Sequence, residues 1–409
     1  MAELAQIELT DMAHGGDAVG RYQGRAVFVP MAMPGERVTV ALEPSTRSYL
    51  RGRLVGIERP SPHRIEPACP YFGRCGGCHW QFIDYAEQLR IKESIVRNAL
   101  QRIGGIAEPP VAPMLGMQVP WRYRNHVQLR INRRGDVGYL AAGSHEIVPT
   151  AHCLIAHPLL ETMWDAHREL GVPASEVILR AGIQTGERLA YLQARTQTRK
   201  ATISPPEDCN VLLRTPGGRR QLLAGDPSLH ERVENRTFRI SADAFFQNNT
   251  LQAELLVRQA RELLALQPGR SLLDAYCGGG LLGLSLVDES HTLYGIEWAG
   301  ASLEDARINS AGRGTFWEGD VEHVLQRQHP HVDAIVLDPP RAGCTAAAVV
   351  ALAACGASRI LYVSCDPATL ARDIARFTEL GYRLQRVQPI DMFPQTYHVE
   401  TVVLMSRTG

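Results

Sequence analysis

The last third of the chain alternates apolar strand-like runs with helical or turn segments. That alternation restricts it to an open, mostly parallel sheet with helices on both faces. Runs at Ser271 to Ala275, His291 to Ile296, Thr315 to Trp317, Val332 to Leu337 and Arg359 to Ser364 are each followed by such a segment. Two final runs, Arg383 to Ile390 and Glu400 to Met405, have no helix between them, so the sheet is expected to end in an antiparallel hairpin. In a sheet of this kind, ligands and chemistry gather at the carboxyl ends of the strands. The apolar run Leu361-Tyr362-Val363-Ser364 leads straight into Cys365, Asp366 and Pro367, which presents a thiol to that edge. Cys365 is therefore the candidate nucleophile, against the ordinary alternative of a buried free cysteine.

The 409 residues leave room for two or three domains, and 45% hydrophobic residues suffice for their cores. The start of the chain lacks a basic region followed by an apolar run, and no apolar segment of about 18 residues occurs, so a cytoplasmic protein off the membrane is expected. Formal net charge is zero, which removes any global electrostatic argument for nucleic acid. All basic residues but Lys92 and Lys200 are arginine. Guanidinium suits phosphate, although genome base composition yields the same bias.

Residues 1–60 read as short strands between glycine turns, among them Arg25 to Val29, Arg37 to Val40 and Leu54 to Ile57. That pattern suggests a small closed barrel of the kind that carries RNA. The proline-rich Arg59-Pro60-Ser61-Pro62 marks a boundary. Next come Cys69, Cys75 and Cys78 on a glycine-rich loop, a spacing suited to metal or iron–sulfur ligands. A closed site needs a fourth thiol, and Cys153 is the best candidate; four thiolates suit zinc equally well. Leu89, Ile91, Ile95, Val96, Leu100 and Ile103 recur at helical spacing and predict a helix over 85–103. Trp121 to His126, continuing into a strand and the Arg133-Arg134-Gly135-Asp136 turn, form a basic, aromatic-flanked hairpin that is the expected RNA contact of the middle region. Residues 160–240 read as further hairpins without chemistry. Asn249 with Gln252 three positions on predicts a capping-box start to the next helix.

Around the first strands of the final sheet, Asp274 to Gly280 supplies glycines that let a cofactor approach the backbone. Glu297 supplies a carboxylate for two ribose hydroxyls at the second strand end. A nicotinamide enzyme could use the same pair, but no spaced glycine fingerprint opens a helix here. S-adenosylmethionine needs no phosphate cradle, and Asp320 would then lie near its adenine. The fourth strand ends in Asp338-Pro339-Pro340-Arg341. Enzymes that methylate exocyclic amines place an aromatic after the two prolines, and Arg341 argues against an amine acceptor.

With Asp338-Pro339-Pro340-Arg341, Ser364-Cys365-Asp366-Pro367 and Phe393 to Glu400 on three consecutive strand ends, the chain closely resembles the RNA uridine-5-methyltransferases over nearly its whole length. The resemblance implies S-adenosylmethionine as cofactor, contacted by Gln247 of Phe246-Gln247-Asn248-Asn249 and by Tyr276, Glu297 and Asp338. It further implies that the first 60 residues are a TRAM domain. Cys69, Cys75, Cys78 and Cys153 match the [4Fe-4S] ligands of the family's 23S ribosomal RNA branch. Leu281 departs from the family, where many members carry a polar cofactor contact. The organisation expected is thus a barrel over 1–60, a central α+β domain over 61–240 with the iron–sulfur loop and RNA-contacting hairpins, and a doubly wound α/β methyltransferase domain over 241–409. The expected protein is monomeric.

The chemistry supports these assignments independently. Carbon 5 of uracil is a weak nucleophile until a thiolate adds to carbon 6, and cysteine both attacks and leaves well. The carbon 5 proton must then be removed. Glu400 opens the predicted antiparallel last strand, so it stands at the same sheet edge as Cys365 and can serve as base. His398 reads as a structural neighbour. The target base must leave its stack to reach the thiol. The alternatives are a tRNA uridine-5-methyltransferase and, from another class, an RNA-binding iron–sulfur protein that has lost activity.

Overall fold

The structure is a computed structural model, and it describes residues 3–43, 48–164, 173–196 and 208–407. Part of the 160–240 reading therefore lies outside the described residues.

Five strands, β1 (Leu4–Met12), β2 (Ala18–Tyr22), β3 (Arg25–Val29), β4 (Arg37–Glu43) and β5 (Tyr49–Arg59), close a barrel in the order β1-β2-β3-β5-β4. Alternate residues Ala5, Ile7 and Leu9 of β1 point inward, as the period of two requires. The β3–β5 pairing is parallel.

The helix Tyr85–Arg102 joins the barrel to the rest of the molecule. Asp84 caps it by accepting the Glu87 N–H at 2.9 Å. Ile91 and Ile95 pack into the barrel core, while Val96 and Leu100 enter the core of the C-terminal sheet. Each such apolar side chain contributes on the order of 1.5–3 kcal/mol by burial, so the helix fastens two domains along opposite sides.

A central sheet is built from β6 (His126–Ile131), β7 (Val137–Leu140), β8 (Ile147–Pro149), β9 (Ala174–Ala181), β10 (Arg188–Ala194), β11 (Cys209–Arg214) and β12 (Arg220–Ala224) in the order β12-β11-β10-β9-β6-β7-β8. The hairpin of β13 (Ser228–Val233) and β14 (Arg236–Ser241) follows, with Leu229, Phe238 and Ile240 packed into the C-terminal core.

Asn249 caps the helix Thr250–Leu264 through the Gln252 N–H, 3.3 Å away. The reciprocal half of the expected capping box is missing. The Gln252 amide instead donates 3.0 Å to the Asp391 carbonyl, because a buried donor serves the backbone orphan nearest to it.

The C-terminal sheet contains β15 (Ser271–Ala275), β16 (Thr292–Glu297), β17 (Thr315–Glu318), β18 (Ala334–Leu337), β19 (Arg359–Ser364), β20 (Tyr382–Ile390) and β21 (Glu400–Arg407). Their order is β17-β16-β15-β18-β19-β21-β20. The first five run parallel, and β21 is antiparallel to both β19 and β20. The segment around Val111 to Leu115 pairs with the outer edge of β20, covering an edge that would otherwise invite association. Among the described residues, no helix is long and apolar enough to cross a membrane.

Candidate active site

The β19–β21 register pairs Ser364 with Thr401, so the next residues outward, Cys365 and Glu400, stand side by side at the sheet edge. Asp338 follows β18, the neighbour of β19 on its other side. Three strand ends thus bring a thiol and two carboxylates together. Burial pushes the Cys365 thiol up to about 12; the Glu400 and Asp338 carboxylates add to the rise and Arg341 opposes it. Burial also raises Asp338 to about 7 and holds Glu400 well above the usual carboxylate range. Asp338 repels a second negative charge on Glu400, and Arg341 works the other way. Glu400 is 3% exposed, and its Oε1 is buried without a hydrogen-bond partner among the described residues. An orphaned buried acceptor is costly unless something outside the protein completes it.

Other expected residues surround this centre. Gln247 is buried, and its Nε2 lies 3.4 Å from Asp338 Oδ2. The adjacent Phe245 is exposed. The Gln247 carbonyl is in turn held by Asn125 Nδ2 at 3.0 Å, and the Asn248 carbonyl by the Asn125 N–H at 2.9 Å. Glu297 accepts the N–H groups of Gly278 at 2.9 Å and Ala299 at 2.8 Å, which fixes its carboxylate at the end of β16. Gly280 has φ +88° where the chain turns into the helix Leu281–Leu286, a conformation that suits glycine. Tyr276 also has a positive φ, and its side chain is turned toward Cys344 beneath the edge. Asp320 is exposed at the far end, after β17, and His323 is its neighbour at 3.4 Å.

Cys69, Cys75, Cys78 and Cys153 line one cavity together with Tyr71 and Tyr139. Gly76 approaches the backbone of β7 so closely that a Cβ there would lie 3.0 Å from the Leu140 carbonyl. Burial pushes the Cys78 thiol to about 12 and raises Cys75, and the neighbouring thiols add to both. No group of three or more His, Cys, Asp or Glu among the described residues is arranged to hold a metal ion.

The stretch Trp121 to His126 lies differently from the exposed hairpin expected. Tyr123 is buried and donates 3.0 Å to the Pro394 carbonyl, and Asn125 is buried against the Gln247 segment. Its aromatic and amide groups support the active-site loops, while Arg122, Arg133 and Arg134 stay exposed. The sequence reading named the Phe393 to Glu400 loop but not the groups that clamp it. Lys92 Nζ lies 2.6 Å from Asp391 Oδ1 and 3.1 Å from the Phe393 carbonyl, with both ionic side chains fully buried. The Gln395 carbonyl accepts the His79 N–H at 2.9 Å and the Trp80 N–H at 3.1 Å. The helix also carries Glu87, Arg90, Glu93 and Arg97, so nothing in the sequence singles Lys92 out for this clamp.

A mostly parallel sheet thus presents acidic and thiol groups at its carboxyl edge and belongs to a chain that opens with a five-stranded barrel. The family model for tRNA (uracil-5-)-methyltransferase matches residues 324–408, and that for the TRAM domain matches residues 5–55. An uncharacterized RNA methyltransferase of Halalkalibacterium halodurans is 33% identical over 446 residues, covering 98% of this chain and 97% of its own. One from Thermosynechococcus vestitus is 37% identical over 437 residues, covering 98% and 97%. The crystal structure of Pyrococcus abyssi tRNA (uracil-54, C5)-methyltransferase with S-adenosyl-L-homocysteine superposes with a TM-score of 0.79 at 23% identity, covering 98% of this chain and all of that one. The chain belongs to the RNA (uracil-5-)-methyltransferase family and is an S-adenosylmethionine-dependent enzyme acting on RNA.

Proposed function

We propose that the protein methylates carbon 5 of a uridine in 23S ribosomal RNA through a covalent bond between Cys365 and the base. The observation that carries this reading is the pairing of Cys365 with Glu400, whose buried Oε1 has no hydrogen-bond partner among the described residues. The Cys365 sulfur attacks carbon 6, and the displaced π electrons make carbon 5 nucleophilic. S-adenosylmethionine, when bound, supplies the electrophilic methyl group. Glu400 then takes the carbon 5 proton, the double bond re-forms, and the thiolate leaves. Burial holds the Glu400 carboxyl well above the usual carboxylate range, which makes its carboxylate a stronger base toward the carbon 5 proton. Burial and the neighbouring carboxylates hold the Cys365 thiol up at about 12, so its proton has to pass to water as the sulfur adds to carbon 6.

In this reading Gln247, Tyr276, Glu297, Asp320 and Asp338 bind the cofactor, with Asp338 also placed to hydrogen-bond the base. Cys69, Cys75, Cys78 and Cys153 hold a [4Fe-4S] cluster. The supporting observation is that four thiols face one cavity lined by aromatic side chains. Burial raises the Cys75 and Cys78 thiols, so loading at these two displaces protons. We assign residues 1–60 to the barrel, 61–240 to the central domain and 241–409 to the methyltransferase domain of a cytoplasmic monomer. The second target is tRNA, favoured by the description of the family model that matches the last strands. Purified protein given labelled S-adenosylmethionine should methylate an unmodified 23S transcript. Efficient labelling of tRNA alone would transfer the assignment to tRNA, and labelling of neither by Cys365→Ala is required by both.

A further inference from the structure

We infer that His14, on the barrel loop between β1 and β2, is a positioning residue for the Cys365 strand end, so that the barrel forms one wall of the catalytic site. The inference rests on Cys365 as nucleophile and adds a group from the far end of the chain to its surroundings.

His14 Nε2 lies 3.1 Å from Asp366 Oδ2, and since a carboxylate only accepts, the imidazole donates. Asp366 is the residue after the nucleophile. Its two oxygens divide the work. Oδ1 caps the helix Pro367–Glu379 through the Ala368 and Thr369 N–H groups, at 3.0 and 2.9 Å. Oδ2 takes the His14 contact. The loop is not a passing neighbour. Trp80 Nε1 donates 3.2 Å to the Gly16 carbonyl. Gly16, at φ +95°, sits so close to Tyr397 that a Cβ would come within 2.9 Å of the ring. His14 meets the same ring edge-on with centroids 6.1 Å apart. Tyr397 belongs to the turn that leads into Glu400, so one barrel loop touches the segments carrying both catalytic groups.

The electrostatic consequence follows from the groups that face the thiol. Glu400 from β21, Asp338 from the end of β18 and Asp366 from its own loop all disfavour a thiolate, and Arg341 favours it. A hydrogen bond donated to Asp366 withdraws part of one of these negative fields, smaller than those of Glu400 and Asp338, and keeps Oδ2 turned to the barrel. Without it, Oδ1 still caps the helix, but the charge on Oδ2 is left uncompensated and opposes ionisation of Cys365.

The test uses the full-length protein with His14→Ala, His14→Gln, Asp366→Asn and the His14→Ala/Asp366→Asn pair. Three quantities are read: Kd for the RNA transcript that wild type methylates, single-turnover methylation rate at saturating RNA, and the pH dependence of Cys365 alkylation by iodoacetamide without RNA, followed peptide by peptide. His14→Ala should slow single turnover about tenfold while Kd changes less than about twofold, since a hydrogen bond to a charged group is lost and no RNA contact is. Its Cys365 should be alkylated more slowly at each pH, His14→Gln should recover most of the rate, and His14→Ala should add nothing in the Asp366→Asn background. A weakened Kd with an unchanged rate would make His14 an RNA contact and overturn the proposal. So would an unmoved alkylation profile, or equal damage with and without the Asp366 carboxylate. Cys365→Ala separates this from the parent reading: methylation retained there removes the nucleophile itself, whereas methylation lost there with a silent His14→Ala removes only the role of His14.

Discussion

Replacing Lys92 by Met should be among the most destabilising single changes in this protein, and the structure gives the size. The Lys92 ammonium and the Asp391 carboxylate are 2.6 Å apart, and both side chains are fully buried. At an effective dielectric of about 20 their attraction is about 6 kcal/mol. Desolvation costs several kcal/mol per ion, so the intact pair contributes little net stability. Met matches the Lys stem in volume and keeps its packing, but leaves the Asp391 charge buried with only the Tyr85 hydroxyl, 2.8 Å from Oδ2. The expected loss is about 3–5 kcal/mol. In urea this should appear as a midpoint lowered by roughly 1 M, because m grows with chain size beyond the 1–3 kcal/mol/M of small proteins. Lys92→Met/Asp391→Asn should recover more than half of the loss. Lys92 also holds the Phe393 carbonyl, so both variants should lose activity, the double one included. A midpoint within about 0.2 M of wild type for Lys92→Met, or no recovery in the double variant, would refute the reasoning.

Asp274 is fully buried, accepts the Gly283 N–H at 2.7 Å, and is raised by burial to about 8. A carboxyl group with a native pKa above its unfolded value near 4 binds protons preferentially in the folded state, so its stabilisation is present at low pH and declines as pH rises from about 4 to 8. Asp274→Asn should flatten that slope and unfold at a higher temperature than wild type at pH 9; a steeper slope in the variant would contradict it. Single Cys→Ser changes at 69, 75, 78 or 153 should each lower iron content in protein purified without air, and stoichiometric zinc with no iron in wild type would contradict the cluster assignment.

The C-terminal sheet was legible because each strand is a short apolar run bounded by chemistry. Arg359 to Ser364 matches β19 residue for residue, and the antiparallel final hairpin follows from the absence of a helix before Glu400. Cys365 and Glu400 could be placed at one edge for the same reason: strand direction alone decides which residues share it. The barrel was less legible. β1 alternates a buried with an exposed residue, but alternation alone does not tell what a strand pairs with, and the parallel β3–β5 contact has no local signature. Long-range contacts were the least visible. Lys92 reads as a solvated position on its helix until Asp391, 299 residues later, is brought against it. The Trp121 to His126 stretch has the composition of an RNA surface, yet Tyr123 and Asn125 spend their polar atoms on the Pro394 and Gln247 backbones. Composition does not tell which side of a strand faces water.

The central claim is that Cys365 and Glu400 act at successive stages of one covalent reaction, and Glu400→Gln tests it most directly. The variant is incubated with substrate RNA and S-adenosylmethionine labelled in the methyl group, then resolved on a denaturing gel. If Glu400 only removes the carbon 5 proton, the variant still attacks and still passes the methyl group, but the thiol cannot leave. A slow-migrating RNA–protein band carrying labelled methyl should accumulate, and adding Cys365→Ala should abolish it. Turnover by Glu400→Gln at near the wild-type rate, with no such band, would assign the base to another group and contradict the account.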